Sequence, residues 1–328
     1  MAIGKASDFV IYQEEFQSGV VEKVAQFLKL FNEGTRGAIR LIPNALKGDY
    51  SKAAFFKDVD GLVSRRDTTS TAAVTDLAFT QDEVISVKLN RKVGPIAQTL
   101  DAMKKAGLDE AAASRAFGEL AGERKMKDML TSALIAVEAA IEGNTAMNLD
   151  ITGESTKTAS TAALRRTLAK FGDASGDIVC WVGHSKVNFD ILAGLQASGV
   201  SGLEDMVTIY GAVPAYLGRP MIVSDSSALT DANGSSTDTY NTLGLVRDAV
   251  IVSESEPETY VTEIVTGLAN LVRRFQSEHA YNVEVKGFKW DTGNGGANPT
   301  DSTLGTTSNW DQVATDDKHT AGVRLDSQ

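Results

Sequence analysis

Residues 109–144, DEAAASRAFGELAGERKMKDMLTSALIAVEAAIEGN, hold the strongest helical pattern in the chain and limit its architecture more than any other stretch. Ala113, Ala116, Phe117 and Leu120 begin one apolar stripe, and Met126, Met129, Leu130, Ala133, Leu134, Val137 and Ile141 continue it. Asp109 and Glu110 suit the positive end of a helix, and Gly143-Asn144 suits its close. Some thirty residues at about 1.5 Å each make a rod of roughly 50 Å. Gly118 and Gly122 are places where it can bend. Three or four turns is the usual length in a globular protein. A helix this long is predicted to brace the whole molecule.

The segments ahead of it do not close a core. In residues 1–60, Phe16, Val20, Val24, Phe27 and Phe31 fall at helical spacing, and Gly34 ends that helix. The pieces GAIRLIP and GDYSKAAFF follow, so Tyr50, Phe55 and Phe56 must be covered by the rest of the chain or by a neighbouring molecule. In VISVKLNRKV, Ile85, Val87, Leu89 and Val93 alternate with Ser86, Lys88, Asn90 and Lys92. Thr75, Leu77 and Phe79 suggest the partner strand, giving a long hairpin over 61–95 with a polar, basic side. A lone two-stranded ribbon is barely stable in water. It needs a surface to lie on.

Residues 155–255 read as a compact α/β block. A helix over 162–171 leads to the apolar strand DIVCWV, the helix SKVNFDILAGL, the strand RPMIVSD and the strand region LGLVRDAVIVS. Alternation returns at Tyr281, Val283 and Val285, predicting late strands that pair beside the long helix. From Gly293 onward no period is visible, although Trp310, Val313, Val323 and Leu325 suggest that this tail docks on the subunit or a neighbour.

The chain has 328 residues, 42% apolar and 23% charged, with a formal charge of −11. That balance argues against a broad basic surface gripping nucleic acid, though not against lying close to DNA. One cysteine makes no internal disulfide and suits a reducing cytoplasm. No signal peptide and no apolar run of about 20 residues is present, so a soluble, cytoplasmically made protein is expected.

Residues 180–189, CWVGHSKVNF, have the look of a catalytic site, with Gly183-His184-Ser185 opening like a hydrolase elbow. Val187 stands where the elbow needs glycine. Cys180 and His184, four residues apart on an extended strand, are separated by about 13 Å. His279 and His319 lie in a strand and in the tail without a recognisable base–orienter pattern. A structural reading accounts for the whole stretch: a buried strand, a turn at Gly183, Ser185 as helix N-cap, then Val187, Ile191, Leu192 and Leu195 facing inward. Asp231, Asn233 and Ser235 begin like a calcium loop, but Thr242 replaces the closing glutamate. The paired arginines are scattered in an acidic chain and favour salt bridges, and Trp290 and Trp310 favour packing.

The order of parts resembles the major capsid protein of tailed double-stranded-DNA bacteriophages, the Hong Kong ninety-seven type of fold. The phrases SDFVIYQEEFQSG, FNEGTRGAI, VPAYLGRPMIVSDSS, LGLVRDAVIVSES, YNVEVKGFKWD and NPTDSTLGTTSNWDQV carry that resemblance locally. It implies an α+β fold with an N-terminal arm (1–60), an extended β-hairpin E-loop (61–95) and a peripheral domain (96–154) holding the spine helix (109–143). It also implies an axial α/β domain (155–255), peripheral return strands (256–292) and a C-terminal extension (293–328). Arg65, Arg66, Lys88, Arg91 and Lys92 are then expected to contact neighbouring subunits from the E-loop. Phe16, Tyr50, Phe55 and Phe56 are expected to do so from the arm, with Trp310 as the C-terminal anchor.

The implied function is a shell subunit that self-assembles into hexamers and pentamers around double-stranded DNA, with no catalytic site, cofactor or metal. Expected partners are further copies, a portal, a separate scaffolding protein, a decoration protein and non-specifically held DNA, without a membrane. Lys88 or Lys92 could donate a covalent cross-link in such a family, but no asparagine or activating acid is identifiable, so none is expected. An encapsulin compartment of the same fold and a serine hydrolase using Ser185 are the rival readings.

Overall fold

The computed structural model describes residues 32, 34–43, 49–57, 61–66, 68–78, 80–99, 110–197, 215–231, 237–266 and 269–328. The expected arm helix with Phe16 lies outside these residues, as do Phe79, Asp109 and residues 232–236 of the calcium-like loop. The fold is mixed α+β: among the described residues a five-stranded and a seven-stranded sheet are joined along a long helix, with a further two-stranded sheet beside them.

Helix α1 (Glu110–Glu142) runs for 33 residues. Its C-terminal half presents Ala133, Leu134, Ala136, Val137, Ala140 and Ile141 to the main core, all fully buried. The N-terminal half differs from the sequence expectation. Ala116 and Leu120 face solvent, while Ser114, Ala121 and Lys125 point inward. Lys125 explains the rotation. Its ammonium donates to Glu254 Oε1 at 2.9 Å and Glu258 Oε2 at 3.2 Å, so a charged residue marks the inner face. Ser277 Oγ donates to Glu258 Oε1 at 2.7 Å. His279 is buried nearby and stacks on Tyr281. Burial, with Lys125 adding repulsion, pushes the imidazole down to about 4. One helix therefore covers an apolar core at one end and a charged network at the other.

Under α1 lies a five-stranded sheet made from β1 (Ile39–Pro43), β2 (Tyr50–Phe56), β3 (Gln81–Thr99), β10 (Val250–Val265) and β11 (Val272–Val285). The order is β1-β10-β11-β3-β2. β3 is shared along its length: Val84 pairs with Ala53 on β2, while Val93 pairs with Ser277 on β11. Val87 is where the two ladders overlap, meeting Tyr50 on one side and Val283 on the other. The hairpin expected over 61–95 is corrected accordingly. The partner of β3 is Tyr50–Phe56, and residues 68–78 with Thr75 and Leu77 form no strand. Both stretches alternate or nearly do, and only the sheet's free edge selects between them.

A second, seven-stranded sheet contains β4 (Asn148–Asp150), β5 (Ile178–Gly183), β6 (Ala215–Tyr216), β7 (Arg219–Val223), β9 (Thr239–Val246) and β14 (Gly322–Ser327). Its order is β4-β14-β9-β5-β7-β6, with β8 (Thr230–Asp231) on β9. Helices α2 (Thr161–Lys170) and α3 (Ser185–Ala197) complete this block. Two expectations change here. LGLVRDAVIVS is two strands in two sheets, broken at Arg247-Asp248 where Asp248 takes φ +56°, so the α/β block stops at Val246 and not at 255. The tail is also not without regular structure. β14 enters the sheet interior, parallel to β4 and antiparallel to β9.

The tail is pinned before it reaches that sheet. β12 (Phe288–Trp290) pairs with β13 (Trp310–Gln312), bringing Trp290 opposite Trp310. Their rings meet edge-on at 5.1 Å, a geometry that adds about 0.5–1.5 kcal/mol to simple burial. Each indole N–H is satisfied by a tail carbonyl, Trp290 by Gly296 at 3.0 Å and Trp310 by Leu304 at 2.9 Å. The short helix α4 (Asp301–Leu304) supplies the latter.

Candidate functional site

The cluster at 180–189 is the first candidate, because it gathers a cysteine, a histidine and a serine. β5 places Cys180 and Trp181 in the main core, both fully buried. Burial pushes the Cys180 thiol up to about 12, so it carries no thiolate near neutral pH. His184 and Ser185 sit where β5 turns into α3, and Asp225 arrives beside them just after β7.

Three triad residue types are therefore together, but their bonds run the wrong way. The Ser185 amide donates to Asp225 Oδ1 at 3.2 Å, and the Ser185 hydroxyl also bonds that carboxylate. His184 Nε2 faces the same oxygen at 3.4 Å. The Lys186 amide donates to His184 Nδ1 at 3.2 Å, so both imidazole nitrogens face partners other than the serine hydroxyl. A base must accept the nucleophile's proton, and this imidazole is turned away from it. The Ser185 bonds hold the Asp225 carboxyl below the usual range. Asp225 thus caps α3, the role expected of Ser185. A fluorophosphonate probe is expected to leave Ser185 unlabelled under conditions that label a control hydrolase. Labelling there, read by peptide mass spectrometry, would restore the hydrolase.

The residues expected to reach neighbouring subunits divide into two sets. Lys88 is buried and its ammonium meets Glu256, while Arg91 joins four elements within the chain. The Arg91 guanidinium donates to Ser132 Oγ at 3.1 Å and Tyr281 Oη at 3.3 Å, and pairs with Asp128 at 3.1 Å and Asp301 at 2.5 Å. Tyr50 packs against the main core. Arg65, Arg66 and Lys92 are exposed. Phe55 and Phe56 line a cleft of about 290 Å³ together with Val313 and Ala314. Trp310 is buried against Trp290.

Residues that sequence reading passed over stand at the end of the hairpin. Val63 is 93% exposed and Val74 87%, and Leu62 is also open to solvent, as are Leu77, expected in a strand, and Phe56, expected at a subunit contact. Isolated apolar residues in a threonine- and serine-rich stretch were the signal, easily mistaken for a strand. Among the described residues, no group of three or more His, Cys, Asp or Glu is placed to hold a metal ion. No described helix is long and apolar enough to cross a membrane.

This arrangement, with a long helix, a hairpin with an exposed end and an α/β block closed by its own tail, has known counterparts. A model of the major capsid protein 13-like family matches residues 8–324. The chain belongs to that family. It is a structural subunit of a tailed-phage capsid. The fold of this capsid subunit is similar to the cyanophage Pam1 capsid protein, with TM-score 0.53, 13% identity and 88% of each chain covered. It is also similar to that of Mycobacterium phage Bobi, with TM-score 0.51, 10% identity and 87% of each chain covered. Ralstonia phage GP4 capsid gives TM-score 0.50 at 10% identity, over 88% of this chain and 87% of that one. No curated protein matches in sequence.

Proposed function

We propose that this capsid subunit forms hexamers and pentamers of a closed icosahedral shell around double-stranded DNA, and that it does so without a catalytic site. The observation that carries the proposal is the hairpin. Its β2–β3 base is tied into the five-stranded sheet, yet its end exposes Phe56, Leu62, Val63, Val74 and Leu77. Scattered apolar residues on a soluble surface need no explanation, but several on one exposed loop fit a protein–protein contact. In this reading the hairpin is the E-loop, lying across a neighbouring subunit with Arg65 and Arg66 at the contact, while Lys92 sits farther along β3, paired with Glu278 on β11. Phe55 and Phe56 belong to the arm side of the same interface, whereas Tyr50 packs against the subunit's own core. Each contact is small; repetition around a closed shell makes the whole stable.

The same reading takes residues 96–154 and the return strands as a peripheral domain and the seven-stranded sheet as the axial domain. Assembly takes place in the bacterial host's cytoplasm with a portal, a separate scaffolding protein and a decoration protein as partners. DNA is held only non-specifically, since a −11 chain presents phosphate with little to grip. Replacing Leu62, Val63, Val74 and Leu77 together by serine is expected to leave the fold intact and abolish particles. Electron microscopy and native mass of the purified protein test this. Particles in wild-type yield, or a wild-type chain that stays monomeric, would refute the proposal.

A further inference from the structure

We infer that a cationic cleft where the two sheets meet is a docking site for acidic side chains of a second copy of this chain. The inference rests on the shell reading above and adds where the charge contacts form.

The cleft has a volume of about 540 Å³ and is lined by Arg247, Lys286, Lys318, His319 and a single acid, Asp177. Two turns build its rim. Arg247 lies between β9 and β10, and Lys286 follows β11. The Lys286 amide donates to Ala249 O at 2.9 Å and its ammonium to Arg247 O at 3.4 Å, so the turns are fastened together. Asp248, next to Arg247, turns its carboxylate to Arg40 at 2.8 Å and leaves the Arg247 charge uncompensated. Among the described residues neither Arg247 nor Lys286 has a carboxylate partner, and both are exposed. Lys318 pairs at 2.5 Å with Asp173, which is 84% exposed and so screened by solvent.

The residues that line the cleft hold three cations against one acid, with Asp173 and Asp248 only at its edge, the reverse of the chain's balance of 43 acidic to 32 basic residues. Copies each carrying −11 repel one another over most of their surface. Close association then requires local complementarity, and a fixed cationic cleft supplies it to a neighbour's abundant carboxylates. A nucleic-acid backbone fits less well. It asks for a continuous run of cations, whereas Asp173, Asp177 and Asp248 interrupt this rim.

The test uses particles assembled from a mixture of unlabelled and isotope-labelled subunits, treated with a water-soluble carbodiimide that couples lysine amines to carboxylates. Mixed-isotope cross-linked peptides containing Lys286 or Lys318 are expected. Same-isotope peptides alone would overturn the inference. Independently, Arg247→Glu with Lys286→Glu is expected to keep the wild-type melting temperature and lower particle yield at low salt by at least about tenfold. A folded double variant that assembles in wild-type yield overturns the cleft and leaves the shell standing. A wild-type chain that forms no particles removes the shell reading, and the cleft with it. Protection of Lys286 and Lys318 from acetylation that vanishes on nuclease treatment assigns the cleft to DNA, and also overturns it.

Discussion

Arg324→Met is expected to destabilise the folded subunit by about 3–5 kcal/mol, the usual cost of stranding buried charge. Arg324 is only 3% exposed and lies at the contact of β14 with the C-terminal half of α1. Its guanidinium pairs with Glu138 and Asp326, and more distantly with Glu142 and Asp231 at 3.4 Å each. Asn241 donates to Glu138 and Asp231, both at 3.2 Å. Methionine fills much of the volume but supplies no charge, so Glu138 and Asp326 face one another without a cation. Urea unfolding followed by far-UV circular dichroism measures the loss. A change below about 1 kcal/mol, within the range of an exposed pair, would show that the cluster is effectively solvated.

The same cluster sets a pH dependence. One guanidinium faces several carboxylates, and burial pushes Glu138 up to about 7, with Arg324 opposing the rise. Asp326 is raised for the same reason. Between about 4.5 and 7 the folded chain therefore keeps a proton that the unfolded chain has released. Stability is fully present below the unfolded value and falls as pH rises through about 7, by at most roughly 1.4 kcal/mol per pH unit for one proton. Glu138→Gln removes that proton and is expected to flatten the slope. The Arg324→Met deficit is expected to widen with pH, because the stranded carboxylates ionise. A wild-type slope that Glu138→Gln leaves unchanged would assign the dependence to other groups.

A chain ending at Thr320 is expected to give no soluble folded subunit. β14 is an interior strand, and its loss strips Tyr240–Leu245 of β9 and Asn148–Asp150 of β4 of their ladder partners. It also uncovers the space held by Val323 and Leu325, both fully buried, and takes Arg324 with it. Aliphatic side chains of this size contribute roughly 1.5–3 kcal/mol each on burial, and unpaired edges in an opened sheet invite aggregation. In the full chain, Gly322→Val is expected to act the same way. Gly322 holds φ +151° and a Cβ there would run into the Gly244 carbonyl. Soluble fraction after expression, with circular dichroism on what remains, reads both. A soluble Thr320-terminated chain with the wild-type spectrum would mean that the sheet closes without its tail.

Local pattern carried much of this architecture. The long helix was expected over 109–143 and is found at Glu110–Glu142, because helical spacing, an acidic start and Gly143-Asn144 all act within a few residues. DIVCWV and the helix after it are equally plain, since an apolar run ended by glycine and a capped start are read from neighbours in the chain. What the chain did not display was pairing between distant segments. Nothing near residues 322–327 says that they sit between residues 148–150 and 240–245. Nothing near Tyr50 says that it, and not Leu77, continues beside Val87. The inward turn of Lys125 depends on Glu254 and Glu258, more than a hundred residues away. Periodicity is a property of a segment, but a strand's partner and a buried charge's counter-ion are properties of the closed fold.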